Sequence, residues 1–163
     1  MLELSALQST SHCVKIGYEF YGCRFHRCPL NCGIQCLDLY DDFFNIPYPL
    51  PKLDMVAIPE FAMGAMENVG AVTFRETLLL IDVEKATRAE LSRSVEVIAH
   101  ELAHMWFGDL VTMNWWDGIW LNEAFASLME VIASEATYPE FKLWNQMNLD
   151  RSRGFGVDSL KSS

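Results

Sequence analysis

Val97-Ile98-Ala99-His100-Glu101-Leu102-Ala103-His104, with Leu121-Asn122-Glu123-Ala124 placing a carboxylate nineteen residues beyond the second histidine, decides how this chain is read. At 3.6 residues per turn, positions four apart differ by about 40° around a helix, so His100 and His104 project from one face. Glu123 stands in a second helix-like segment, from which its carboxylate can reach the first helix. Zinc favours imidazole nitrogen and carboxylate oxygen, and a catalytic site leaves a fourth position to water. Glu101 follows the first ligand directly, where a carboxylate can take a proton from that water. The competing reading is two core histidines that happen to flank a glutamate. A further glutamate at a fixed offset in a second helix weighs against it. The expectation is therefore one zinc ion per chain, held by His100, His104 and Glu123, with Glu101 as general base.

Working outward, Thr87-Arg88-Ala89-Glu90 is a capping box that starts a helix over 88–107, with Gly108 available for a left-handed cap. A tryptophan-rich connection, Asn114-Trp115-Trp116-Asp117-Gly118, leads to a second helix over 121–137. Pro139 opens a third reaching about residue 149, and residues 151–163 show no apolar stripe. On the other side, 53–58 reads as a strand ending at Pro59, and 71–74 and 77–81 are runs of strand length. Residues 53–81 thus predict consecutive strands of one small, mostly antiparallel sheet. Tyr48-Pro49-Leu50-Pro51 forbids helix, and a short helix is expected over 34–45. Residues 1–37 show no clean periodicity. The class is α+β.

Hydrophobic residues make up 51% of the 163 and charged residues 21%, which fits a globular chain rather than a disordered one. No run of eighteen apolar residues exists, so no membrane span is expected. The first twenty residues lack a basic start and an apolar block, which argues against a secretory signal and for a cytoplasmic location. The net charge of −10 is uneven: three basic and two acidic groups in 1–37, five and eighteen in 38–140, four and two in 141–163. An acidic middle repels nucleic acid and favours a cationic ligand. All five cysteines lie within 13–36 and all five tryptophans within 106–144, so a boundary is placed near residue 37. Cys28, Cys32 and Cys36, with Cys23 and His26 upstream, lack the paired spacing of a zinc knuckle, and free thiols in a reducing compartment are the simpler reading.

Three more acidic residues matter. Glu130 lies seven positions, close to two turns, after Glu123 and shares its face, where it can orient a histidine ligand through the ring's other N–H. Asp109 is a weaker candidate for that task. Glu67, in the glycine-flanked Gly64-Ala65-Met66-Glu67-Asn68, can point into a cleft toward a substrate ammonium, although composition alone leaves a structural role as the default.

His100-Glu101-x-x-His104 with Glu123, Gly64-Ala65-Met66-Glu67-Asn68 and Trp115-Trp116-x-x-x-Trp120-Leu121-Asn122-Glu123 together resemble the gluzincin zinc aminopeptidases, the family of membrane alanyl and puromycin-sensitive aminopeptidases. The resemblance covers residues 38–163. It implies a thermolysin-like catalytic domain, zinc on His100, His104 and Glu123, and Glu101 as the base. It further implies that Glu67 anchors the free α-amino group of a peptide. Gly64, Ala65, Met66 and Asn68 would join the substrate-binding set, with Ala65 and Met66 lining the first side-chain pocket. A fixed ammonium site one residue from the zinc explains removal of N-terminal residues.

Several features depart from the family. Its members are several times longer, with a β domain before this region and a helical domain after it. The tyrosine that the family places several tens of residues beyond its zinc glutamate has no counterpart among Tyr18, Tyr21, Tyr40, Tyr48 and Tyr138. Loss of one oxyanion donor typically costs about 2.7–4 kcal/mol of transition-state stabilisation. The expectation is a divergent segment over 1–37 followed by a partial catalytic domain over 38–163. This would be a zinc aminopeptidase core in truncated form and of doubtful activity, acting on peptides with a free N-terminus. The alternative is an inactive, zinc-binding remnant.

Overall fold

The computed structural model describes residues 2–8, 13–19 and 27–159. Strands β1 (Leu2–Gln8) and β2 (Cys13–Glu19) precede helix α1 (Arg27–Phe44). The helix expected over 34–45 therefore starts seven residues earlier. Pro29 does not prevent this, because a proline in the first turn removes no intrahelical bond. Asn45 ends the helix at φ +52°, a left-handed value that asparagine tolerates. Residue 37, where composition changes, lies inside α1.

Strands β3 (Leu53–Ile58), β4 (Ala65–Met66) and β5 (Ala71–Arg75) complete a five-stranded sheet of order β1-β2-β3-β5-β4. The β1–β2 and β4–β5 pairs are antiparallel, whereas β2–β3 and β3–β5 are parallel. The expectation of a mostly antiparallel sheet is thus corrected to an even mixture. Parallel neighbours need a crossover, and α1 supplies one between β2 and β3. Strand runs reveal where strands are but not which way a neighbour runs.

The expected strand over 77–81 is instead a helical turn, α2 (Glu76–Leu79). Short apolar runs do not distinguish strand from buried helix. Here β4 already covers the outer side of β5, and Leu79 is buried in the core. Ser94 holds the turn by donating from Oγ to the Leu78 carbonyl at 2.6 Å.

Helix α3 (Arg88–Ala103) begins with the predicted capping box: Glu90 N–H donates to Thr87 Oγ1 at 3.2 Å, and Thr87 N–H to Glu90 Oε2 at 2.7 Å. It stops at Ala103 rather than 107, where the chain tightens through Met105 N–H to Leu102 O and Trp106 N–H to Ala103 O. After a 3-10 turn at Trp116–Gly118 comes α4 (Ile119–Thr137), two residues ahead of its expected start. The helix expected from Pro139 to about residue 149 is a 3-10 turn at Pro139–Phe141 followed by α5 (Leu143–Asp158), which runs on into the stretch that showed no apolar stripe. Only its first residue, Leu143, is buried, so no apolar stripe could announce it. Glu135 Oε2 accepts from Leu143 N–H at 2.9 Å, and Asp150 accepts from Gln146 and Arg153 along the exposed face.

One core joins sheet and helices. Leu53, Met55, Val72 and Phe74 pack with Leu37 and Tyr40 of α1, Ile98 and Leu102 of α3, and Met129 of α4. Tyr40 is wholly buried. Its hydroxyl donates to Ala99 O at 2.8 Å, with Met129 O at 3.1 Å, and so ties α1 to both helices that carry the histidines and Glu123. Trp106 stacks on Phe44 and donates its indole N–H to Ile46 O at 2.7 Å. Among the described residues no helix is long and apolar enough to cross a membrane.

Candidate metal centre

His100 and His104 come from the last turn of α3 and the residue after it, and Glu123 from the second turn of α4. The packing of these two helices brings three electron-pair donors together. Nε2 of His100 and Nε2 of His104 are 3.2 Å apart, and Glu123 Oε2 lies 3.3 Å and 3.8 Å from them. The far side of each ring is occupied. His104 Nδ1 faces the Phe107 carbonyl at 3.0 Å, and His100 Nδ1 faces Glu130 Oε2 at 2.7 Å. A carbonyl and a carboxylate only accept, so both Nδ1 atoms carry the proton. In neutral rings, both Nε2 atoms then present bare lone pairs to each other and to a carboxylate. No proton remains to bridge them, so the arrangement is repulsive until a cation at the centre, or a second proton on a ring, relieves it. The donor set, two imidazoles and a carboxylate, is one that zinc accepts.

The surrounding charge agrees. Glu101, at 7% exposure, has its carboxyl pushed up to about 7, chiefly by burial. His100 partly offsets that shift, while Glu67, Glu123 and Glu130 add to it. Burial pushes His100 down, but the hydrogen bond and charge of Glu130, with Glu101 and Glu123, outweigh it and leave the ring more basic than usual. A divalent cation would relieve this crowd of carboxylates.

Glu67 reaches the same cluster. Donor atoms of Glu67, Glu101 and His104 lie within 4.8 Å of one another, as do those of His100, His104 and Glu123. Two openings flank the centre. One is lined by Glu67, Gly108, Met113, Trp115, Trp116 and Asn122, and the other by Gly64, Ala65, Arg93, His100, Glu101 and Ser127. Met66 is exposed on the edge strand β4. Asn68 turns its amide to Thr73 Oγ1 at 3.3 Å, within the hairpin. Asp109 contacts neither ring by a side-chain hydrogen bond. Its Oδ2 is buried without a partner among the described residues, and its carboxyl is pushed up to about 6 by burial and by Glu67.

Sequence reasoning passed over the Phe107 carbonyl, which no side-chain pattern encodes. It also passed over Asn122, whose Nδ2 donates to Glu123 Oε1 at 3.0 Å. An amide directly before the expected zinc glutamate was the available signal. On α1, Cys28, Cys32 and Cys36 are free thiols, with Cys32 and Cys36 Sγ 3.9 Å apart in the core. Cys23 and His26 lie outside the described residues.

Comparison with known proteins adds an independent line. The model of the Peptidase family M1 domain matches residues 28–163. Aminopeptidase M1 of Arabidopsis thaliana is 49% identical over 134 residues, covering 82% of this chain and 15% of that protein. The puromycin-sensitive aminopeptidase of Caenorhabditis elegans is 50% identical over 135 residues, covering 82% and 14%. The alanine/arginine aminopeptidase of Saccharomyces cerevisiae is 49% identical over 141 residues, covering 86% and 16%. The chain thus spans about 15% of the length of the Arabidopsis relative. Because the family match takes in α1, the sheet edge at β4 and both helices of the donor cluster, this chain belongs to peptidase family M1.

Proposed function

We propose that the chain is the core of a zinc-dependent aminopeptidase that removes the N-terminal residue of peptides. The observation that carries this reading is the convergence of His100, His104 and Glu123 with the two further carboxylates of Glu67 and Glu101. Zinc bound by that trio supplies Lewis acidity, polarising the scissile carbonyl and acidifying water to a pKa of about 7. Glu101 accepts the proton of the attacking water and returns it to the departing amine. Its raised basicity in the metal-free site suits a proton acceptor working near neutrality. Glu67 pairs with the α-ammonium and fixes which peptide bond lies beside Glu101. Gly64 and Ala65 offer the edge of β4 to the substrate backbone, as an unpaired strand edge does. Glu130 fixes the His100 ring through Nδ1. The free thiols of α1 suit a reducing compartment, and we place the protein in the cytoplasm.

A second reading, a zinc-binding remnant without turnover, has one observation in its favour. Among the tyrosine side chains that are described, the hydroxyls of Tyr40 and Tyr48 are committed to the carbonyls of Ala99 and Lys52 and that of Tyr138 to Cys28, rather than to the centre. The deciding experiment measures zinc content together with hydrolysis of an aminoacyl-arylamide and of its N-acetylated counterpart. Stoichiometric zinc with cleavage of the free amine alone supports the aminopeptidase. Zinc without turnover supports the remnant. Cleavage of the acetylated compound at an equal rate overturns the role of Glu67.

A further inference from the structure

Of the three residues around the metal centre, Glu123 is the one that packing does least to hold. Its side chain is 52% exposed, whereas the His104 side chain is 1% exposed and His100 is 17%. Both rings are fixed from behind, by Phe107 O and by Glu130. Glu123 is held from behind by Asn122, through Nδ2 to Oε1 at 3.0 Å. Neighbouring positions on a helix point about 100° apart and do not face each other. This contact is therefore not a by-product of helical spacing, and the amide must turn toward the centre to make it. Asn122 is also only 4% exposed. Burying an amide is unfavourable unless its groups are hydrogen-bonded, and an apolar side chain would serve if filling space were its only task.

The space for this amide comes from Gly108, at φ +139°. A Cβ there would lie 2.7 Å from Asn122 Oδ1 and 3.0 Å from His104 Nδ1. One glycine thus gives clearance both to the amide behind Glu123 and to the ring nitrogen that orients His104. We propose that Asn122, seated in the room left by Gly108, is a positioning residue for the metal centre: it holds Glu123 by Oε1 and so presents Oε2 to the two Nε2 atoms. This rests on the zinc reading above and adds a residue to it.

The test is zinc affinity of the purified protein, by competition with a chromophoric chelator, with the visible spectrum of the cobalt(II)-substituted protein recorded in parallel. Asn122→Leu keeps the volume and removes the donor. It should weaken zinc binding about 10–100-fold and shift the cobalt ligand-field bands, while the metal-free thermal melt stays unchanged. Asn122→Gln, which keeps an amide, should recover part of that loss. If the leucine variant does not melt cooperatively, Asn122→Ser decides by the same criterion, since it adds no bulk. Unaltered affinity and spectrum in the folded donor-less variant overturns the positioning role, as does an equal loss for glutamine and leucine. A parent protein that binds no zinc overturns the metal centre itself, a result distinct from either.

Discussion

At Glu101, burial and three neighbouring carboxylates push in one direction against a single histidine, and the group ends near neutrality. Glu101→Gln keeps the shape and removes the proposed base. Zinc stoichiometry should be retained while hydrolysis falls about 10²–10⁴-fold; retained turnover would take Glu101 out of the mechanism. Glu130 acts one step further out, on the Nδ1 proton of His100. Glu130→Ala should weaken zinc about 10–100-fold by chelator competition, and an unchanged affinity would reduce Glu130 to a packing residue. Asp109 makes a prediction about pH. Its carboxyl moves from 3.8 to about 6 on folding, through burial and the charge of Glu67. The folded state therefore holds the extra proton between those values, and this contribution to stability is complete below about pH 4 and lost as pH rises through about 6. In the metal-free protein, Asp109→Asn should melt higher than the parent at pH 7, with the gap closing toward pH 4. A gap that widens on acidification would reverse the sign and refute the assignment.

Among the elements, α1 is the brace that fixes how α3 and α4 meet. Its Tyr40 reaches a carbonyl on each, at the point where the helices bring His100, His104 and Glu123 together. Tyr40→Phe leaves those buried carbonyls without the hydroxyl and should cost about 1–3 kcal/mol. A urea titration should show a lower midpoint with an unchanged slope, and an unchanged midpoint would mean that the hydroxyl contributes nothing net. The start of α3 was legible because a capping box is a local device: Thr87 and Glu90 satisfy each other within one turn. The same locality explains the failure at 77–81. Whether Leu78 and Leu79 lie in a strand or a turn depends on Ser94 and on β4, neither of which is nearby in sequence. Helix α5 was foreseen only as far as about residue 149, since a helix exposed on most sides carries no apolar period to mark where it ends.

For the molecule as a whole, the most telling surface is the run from Trp115 to Leu121. Trp115, Trp116 and Trp120 are each about two-thirds exposed or more, with Ile119 and Leu121 beside them. Apolar patches of this kind mark interaction surfaces or aggregation hazards. The 163-residue chain alone should therefore self-associate at micromolar concentration in sedimentation velocity, and Trp116→Ser with Trp120→Ser should shift it toward monomer. A parent that sediments as a single monomer would contradict this. The patch also borders the opening that contains Glu67, so whatever covers it in a longer protein bears on access to the centre.

The sequence by itself determined the donors, because imidazoles four residues apart share a helix face whatever surrounds them. It also determined where α3 begins, because its capping box closes within one turn. Tertiary structure decided the parallel pairing in the sheet, the helical turn at Glu76–Leu79 and the partners behind His104 and Glu123. Those partners are the Phe107 carbonyl behind His104 and the Asn122 amide behind Glu123, with Gly108 leaving room for both; Glu130 behind His100 was legible from its spacing. The carbonyl and the amide are near their ligand candidates in sequence, but the meeting of Gly108 with Asn122, and of His100 with Glu123 and Glu130, depends on how α3 packs on α4. Residue spacing fixes a direction along one helix, but only packing fixes the distance to the next.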